Sequence, residues 1–278
     1  YSHMDPTSAT RPTIDGKEYH IDLARGDMPP MVLIPGDPDR VGLMASLLDD
    51  HEAMASHREY RSARGTFSGT PVGICSTGIG GPSAAIAVEE LANIGVHTFI
   101  RVGSTGVLAD NVACGDVVIS TAAVRLEGTS KQYVMRDYPA CSHYEVTLSL
   151  IEACERLDIP YHLGITASTD SFYVGQGRPG HDGYMPPSGR NLLEELESAN
   201  VLNLEMEAAT IFTLGSLYGL RTGCVCTVFA NRKANEFLKT GEDNAALVAC
   251  TALSVLSEWD ELKKAHEKRY FSPGLLRG

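Results

Sequence analysis

Thr98-Phe-Ile-Arg-Val-Gly-Ser-Thr-Gly106 is the stretch on which the reading of the fold turns. Thr98–Ile100 reads as a short apolar strand that runs into Arg101, two hydroxyls and two glycines. A segment of the same design lies upstream, where the apolar Met31–Ile34 runs into Pro35-Gly36-Asp37-Pro38-Asp39-Arg40. Glycine at a strand end lets backbone N–H groups approach a ligand. The planar fork of an arginine suits a phosphate better than a lysine does. The chain as a whole repels anions, with a formal net charge of −12. Two Gly/Arg loops in such a chain predict a local phosphate pocket rather than a nucleic-acid surface.

Working outward, 278 residues with 43% hydrophobic content suffice for a sizeable core. The even spread of apolar residues favours one domain, 5–278. Tyr1-Ser2-His3-Met4 reads as a cloning remnant ending at a start methionine. No run of about 18 apolar residues occurs, so no membrane span is expected, and the N-terminal stretch lacks the pattern of a secretory signal. The seven cysteines are scattered through apolar segments such as Ile74-Cys75. They read as buried thiols of a cytoplasmic protein rather than a disulfide framework. Cys224 and Cys226 would share one face of a strand, but no second pair completes a metal site.

Apolar runs of strand length alternate with helix-like stretches. Strands are expected at Val72–Cys75, Asp116–Ser120, Leu163–Ala167, Val201–Leu204 and Gly223–Phe229. Helices are expected at Ala84–Asn93 (with Ser83 as N-cap), Tyr144–Leu157, Leu192–Glu197, Ala208–Tyr218 and Ala245–Leu256. The alternation predicts an α/β domain with a mixed central sheet flanked by helices. Ligands of such folds gather at strand ends. The Gly- and Pro-rich stretch 177–189 reads as a loop of the kind that covers an active site or lies disordered on a surface.

Two further constellations carry chemistry. Glu205 and Glu207 lie two apart at a strand-to-helix junction. A carboxylate accepts hydrogen bonds from two neighbouring hydroxyls, as a ribose offers; acidic residues there also complement a helix dipole. In the segment 170–178, Phe172 offers a ring to stack on, Gln176 a donor and an acceptor, and Arg178 donors only. A flat ligand with alternating carbonyl and N–H edges, such as uracil, matches that inventory. A packed Phe172 beside solvated polar neighbours is the alternative. The islands around His20 and Arg58 are unremarkable on their own.

Together, Pro35–Arg40, Cys75–Ser83, Arg101–Gly106, Phe172-Tyr-x-Gly-Gln176-x-Arg178 and Glu205-Met-Glu207 resemble the uridine-cleaving branch of the nucleoside phosphorylase-I family. The motifs follow the family's order over nearly the whole chain, from about Tyr19 to the last helix. The resemblance implies an α/β/α sandwich and a pentosyltransferase of pyrimidine salvage, converting uridine and phosphate reversibly to uracil and ribose 1-phosphate. It implies that Gly36, Arg40, Arg101 and Ser104 hold phosphate, with Arg58 reaching in from a neighbouring subunit. It assigns the ribose to Glu205, Met206 and Glu207, with His20 of the neighbour near the 5′-hydroxyl. It assigns the base to Phe172, Gln176 and Arg178, backed by Arg232, and it makes Arg178, Gln176 and Arg101 the catalytic set.

Further expectations from the resemblance are a hexamer built as a trimer of dimers and no organic cofactor. A potassium ion between subunits, held in some members, would fall at Glu59, Ile79 and Ser83. Ser104 stands where a threonine is common, and the loop after Arg178 departs from the family's pattern. Purine-specific relatives carry an aspartate where this chain reads Val228-Phe-Ala-Asn-Arg232, which argues against purine phosphorolysis. Arg40 and Arg101 argue against a phosphate-independent nucleosidase, and the full residue set argues against a non-catalytic nucleoside-binding protein.

Overall fold

Met31–Pro35 is buried at every position, as a strand covered on both faces must be. It is the third strand of a computed structural model that describes residues 6–277; the expected cloning remnant, 1–4, lies outside them. The first half of the chain forms β1 (Thr13–Ile14), β2 (Lys17–Glu18), β3 (Met31–Pro35), α1 (Asp39–Ala45), β4 (Asp49–His57), β5 (Tyr60–Phe67), β6 (Thr70–Cys75), α2 (Gly81–Asn93) and β7 (Thr98–Val107). The second half forms β8 (Val117–Arg125), α3 (Ser130–Tyr133), β9 (Ala140–Cys141), α4 (Tyr144–Leu157), β10 (Tyr161–Ser168), α5 (Leu192–Ser198), β11 (Val201–Glu205), α6 (Ala208–Tyr218), β12 (Arg221–Asn231), β13 (Glu236–Phe237) and α7 (Glu242–Ala265).

The expected mixed sheet is present, in the order β13-β12-β8-β10-β11-β7-β3-β6-β5-β4. Parallel pairings such as β3 with β7 alternate with antiparallel ones such as β11 with β7. Helices cover both faces. One apolar core packs beneath α1, α4 and α7, and another beneath α2 and α6. The arrangement is more than a flat sandwich, because β12 also pairs with β7. Strands β12, β8, β10, β11 and β7 therefore close into a ring, from which β3, β6, β5 and β4 extend as an open wing. A bulge between Val228 and Ala230 marks the seam of β12 on β7, and bulges of this kind bend a strand into such a closure.

Several local expectations are corrected. Arg101–Gly106 is not a loop after a strand: β7 runs through it to Val107, with Arg101 opposite Cys224 and Gly106 opposite Ala230. Pairing on a second strand supplies the backbone partners that the glycine content seemed to deny. Ser83 is not an N-cap. Gly80 holds that position with φ 94°, and the Ser83 hydroxyl, already inside α2, donates back to the Ile79 carbonyl at 2.9 Å. Helix α7 extends well beyond Ala245–Leu256 at both ends. Its last turns are polar and are held by Lys263, which pairs with Glu145 at 2.7 Å and with Asp260 at 3.1 Å. Strands β4 and β5 were not foreseen, since β4 is largely exposed and shows no apolar signal. The thiols are not all buried, because Cys141 is exposed and Cys114 half-buried. Cys224 and Cys226 do share a face, with their sulfurs 3.8 Å apart. The 177–189 stretch holds only two short 3-10 turns, His181–Gly183 and Pro187–Gly189.

Candidate active site

Two cavities adjoin where β3 and β11 end beside the middle of β7. The larger, about 870 Å³, is lined by Gly36, Arg40, Glu59, Arg101, Ser104 and Glu207. The smaller, about 210 Å³, is lined by Phe172, Gln176, Arg178, Met206 and Phe237. Ile79, Arg101, Ser104, Glu207 and Phe229 belong to both walls. The polypeptide thus places a glycine-edged chamber that carries Arg40 and Arg101 against a narrow one with an aromatic side.

Arg101 organises the shared wall. It is only 5% exposed. Its Nε donates to Glu205 Oε2 at 2.8 Å, and its Nη1 lies 3.4 Å from Glu207 Oε1. The side chain folds back over Gly103, where a Cβ would come within 2.6–2.9 Å of the guanidinium. Glycine at 103 is therefore a packing requirement of the arginine. Gly36 serves a similar end, since a Cβ there would meet Glu207 Oε1 at 3.3 Å and the Gly78 carbonyl at 3.5 Å.

The two carboxylates differ sharply in what they have left to offer. Glu205 Oε2 accepts from Arg101 and also from the backbone N–H groups of Glu207 (2.8 Å) and Ala208 (2.9 Å) at the start of α6. Its Oε1 accepts from the Ser168 hydroxyl, whose oxygen in turn accepts from the Ala209 N–H at 2.8 Å. Glu205 is thereby spent on holding Arg101 and the helix N-terminus. Glu207 is less engaged, with a longer contact to Arg101 and the backbone N–H groups of Gly80 and Met206 facing its carboxyl. Burial pushes its carboxyl up to about 7, with Arg101 opposing and the nearby Glu205 adding to the rise. Burial also works against the Arg101 charge, but Glu207 and Glu205 hold the guanidinium well above its ordinary value.

On the other side, the buried Gln176 donates through Nε2 to Thr169 Oγ1 at 3.1 Å and accepts through Oε1 from Arg178 at 2.7 Å. Arg178 also donates to the Phe172 carbonyl at 2.8 Å, and its guanidinium carbon lies 4.0 Å from the centre of the Phe172 ring. The face of Phe172 is thus covered by Arg178. Arg232 lines neither cavity; it donates to the Gln176 carbonyl at 2.7 Å from behind. Burial lowers the Arg178 pKa, as does the neighbouring Arg232 charge.

Two expected site residues are not brought here by their own chain. Arg58 sits at the β4–β5 turn with φ 52° and approaches the Tyr19 hydroxyl at 3.4 Å. His20 is bound to Glu90, its Nδ1 lying 2.6 Å from Oε2. The His20 carbonyl accepts from His57 at 2.9 Å, and Tyr19 packs edge-on against both histidines. Arg58 and His20 therefore belong to one patch outside both cavities. Glu59, Ile79 and Ser83 do cluster, around Gly78, where a Cβ would lie 2.8 Å from Glu59 Cγ and 3.3 Å from Ser83 Oγ. Carboxylate, carbonyl and hydroxyl oxygens are the donors a hard cation takes. Among the described residues no group of three or more His, Cys, Asp or Glu is arranged to hold a metal ion.

Sequence reasoning missed Ser168, Phe237 and the polar layer beneath the site. In that layer Thr105 donates to the Leu204 carbonyl at 2.6 Å and accepts from Asn203 at 2.9 Å. Asn203 lies two residues before Glu205, so strand alternation puts both on one face; that was the available signal.

A model of the phosphorylase superfamily matches residues 30–257. The chain is 58% identical over 269 residues to a uridine phosphorylase of Thermococcus kodakarensis, covering 96% of this chain and 97% of the relative. It is 40% identical over 242 residues to a uridine phosphorylase of Escherichia coli, covering 84% and 96%. It is also 43% identical over 215 residues to a guanosine phosphorylase of Halorubrum lacusprofundi, covering 77% and 84%.

Proposed function

The chain belongs to the phosphorylase superfamily, and from that premise we propose that it is a uridine phosphorylase, cleaving uridine with inorganic phosphate to uracil and ribose 1-phosphate. The observation that carries this reading is the shared wall. A chamber lined by Arg40, Arg101, Ser104 and Gly36 meets a narrow one holding Phe172, Gln176 and Arg178, with Glu207 between them. An anion and a flat base would lie on either side of one sugar.

In the reaction a phosphate oxygen forms a bond to C1′ while the C1′–N1 bond breaks, its electron pair leaving on the uracil ring. The sugar passes through a cationic, oxocarbenium-like state. Phosphate held by Arg40, Arg101 and Ser104 stands next to that charge. Arg178 and Gln176 exchange their contacts with each other and with the Phe172 carbonyl for the carbonyl and N–H edge of uracil, stabilising the negative charge on the leaving group. Arg232 fixes the Gln176 backbone from outside. Glu207, the less engaged of the two carboxylates, accepts the ribose hydroxyls beside Met206; Glu205 serves the sugar indirectly by fixing Arg101 and the start of α6. Donors set in advance at a dry site typically contribute about a hundred- to thousand-fold each to turnover.

Arg58 and His20 complete the site only from a neighbouring subunit, and their common position in one surface patch supports this. A trimer of dimers is the assembly proposed. The oxygen cluster of Glu59, Ile79 and Ser83 suits a potassium ion, with further donors coming from a partner. No helix among the described residues is long and apolar enough to cross a membrane.

The test is uracil release from uridine followed by ultraviolet absorbance, with and without inorganic phosphate, and with guanosine and inosine as competing substrates. Release that requires phosphate and prefers uridine is expected. Release without phosphate would overturn the reading of the larger cavity, and a preference for guanosine or inosine would overturn that of the smaller one.

A further inference from the structure

The larger cavity holds a cation that the reaction just described does not use. Lys239 lies between β13 and α7 and lines the cavity together with Arg40 and Arg101. Its Nζ sits 2.6 Å from Glu242 Oε1. Arg40 Nη2 donates to the main-chain oxygen of the same Glu242 at 2.7 Å. The first residue of α7 is thus a mooring for two cations, one through its carboxylate and one through its backbone.

The charges around the chamber explain why this matters. Arg101 is already committed to Glu205 and Glu207. Asp37, Asp39 and Glu59 line the same space. Among the described residues, Arg40 is the cavity cation whose recorded contact is a neutral carbonyl. An entering phosphate, with a charge between one and two at neutral pH, therefore meets more carboxylates than uncommitted cations. The Lys239–Glu242 pair is solvent-accessible, with side chains 65% and 38% exposed, and such pairs are weak. A lysine has a flexible stem and three rotatable donors, so its ammonium exchanges a partly hydrated carboxylate for a bound phosphate at little cost.

We propose that Lys239 is a further phosphate-binding residue, held against Glu242 in the free protein and turned onto the anion when phosphate enters. The proposal rests on the reading that the larger cavity takes phosphate. Its ligand is inorganic phosphate itself, not a phosphorylated macromolecule.

The experiment measures the KM for phosphate, the KM for uridine and the salt dependence of kcat/KM in the full chain and in three variants. Lys239→Met should raise the phosphate KM about fivefold, the upper end for a solvent-accessible ion pair. The uridine KM should stay in place and the salt dependence should flatten. Lys239→Arg should restore most of the phosphate affinity. Glu242→Gln, which leaves the backbone oxygen for Arg40, should lower the phosphate KM about twofold by releasing the lysine. An unchanged phosphate KM in Lys239→Met would overturn the proposal. So would a rise that Lys239→Arg fails to restore, or an equal rise in the uridine KM, since either would mark a strap that matters only for its shape. Should Lys239→Met fail to fold, Glu242→Gln decides alone, a raised or unchanged phosphate KM counting against the proposal. Uracil release from the parent chain without phosphate would bring down the reading of the cavity and this proposal with it, an outcome distinct from all of these.

Discussion

In the smaller cavity the Arg178 guanidinium at once covers one face of Phe172 and donates to Gln176, and the proposed reaction has it stabilise the leaving base. Arg178→Ala should lower turnover on uridine by about a hundredfold or more while the phosphate KM stays near the parent value; steady-state kinetics with both substrates varied checks the split. Glu207 makes a second prediction, on stability. Its folded pKa is raised from an ordinary 4.5 to about 7, so between those values the folded state binds the extra proton. The stabilisation that follows is complete below the lower value and is lost as pH rises through the upper one. Urea midpoints measured from pH 4.5 to 8 should therefore fall more steeply in the parent than in Glu207→Gln. That two carboxylates stand at this junction was legible in the sequence. Which of them is more heavily engaged was not, because Glu205 is occupied by Ser168 and Arg101, partners 37 and 104 residues away.

At the scale of elements, β7 decides how the site is held. Its middle glycine accommodates the returning Arg101 side chain, and a methyl group there would strike the guanidinium rather than a yielding apolar neighbour. Gly103→Ala should leave the fold in place, by circular dichroism, yet raise the phosphate KM at least tenfold as Arg101 is displaced. Elements with an apolar rhythm of their own were legible to the residue: α4 spans Tyr144–Leu157 and α6 spans Ala208–Tyr218 as read. The rest was hidden for physical reasons. The outer strand β4 is polar because solvent covers most of it. The last turns of α7 are fixed by ion pairs with distant residues rather than by an apolar stripe. The glycine-rich end of β7 is a strand because β12 and, at Gly106 and Val107, β11 lie beside it, and no local pattern announces partners about a hundred residues away.

For the molecule as a whole, His20 and Arg58 lie outside both cavities of their own chain, and the proposed assembly has a neighbouring subunit supply them to the site. Mixed and reassembled Arg58→Ala and Arg101→Ala chains, each nearly inactive alone, should recover about a quarter of parental activity, since half of random dimers are mixed and each holds one intact site. Recovery absent after verified subunit exchange would show that each chain works by itself. The ring of β12, β8, β10, β11 and β7 bears on how such a site is lost. Arg101 stands on one side of its seam, Phe229 and Ala230 on the other, and Glu205 closes the neighbouring strand. An open sheet can fray from an edge and shed its ligands one at a time, whereas a hoop has no edge from which to begin. Amide hydrogens of Arg101–Val107 and Cys224–Asn231 should thus exchange as one slow cooperative unit, and heating should extinguish phosphate binding and base binding at a single temperature.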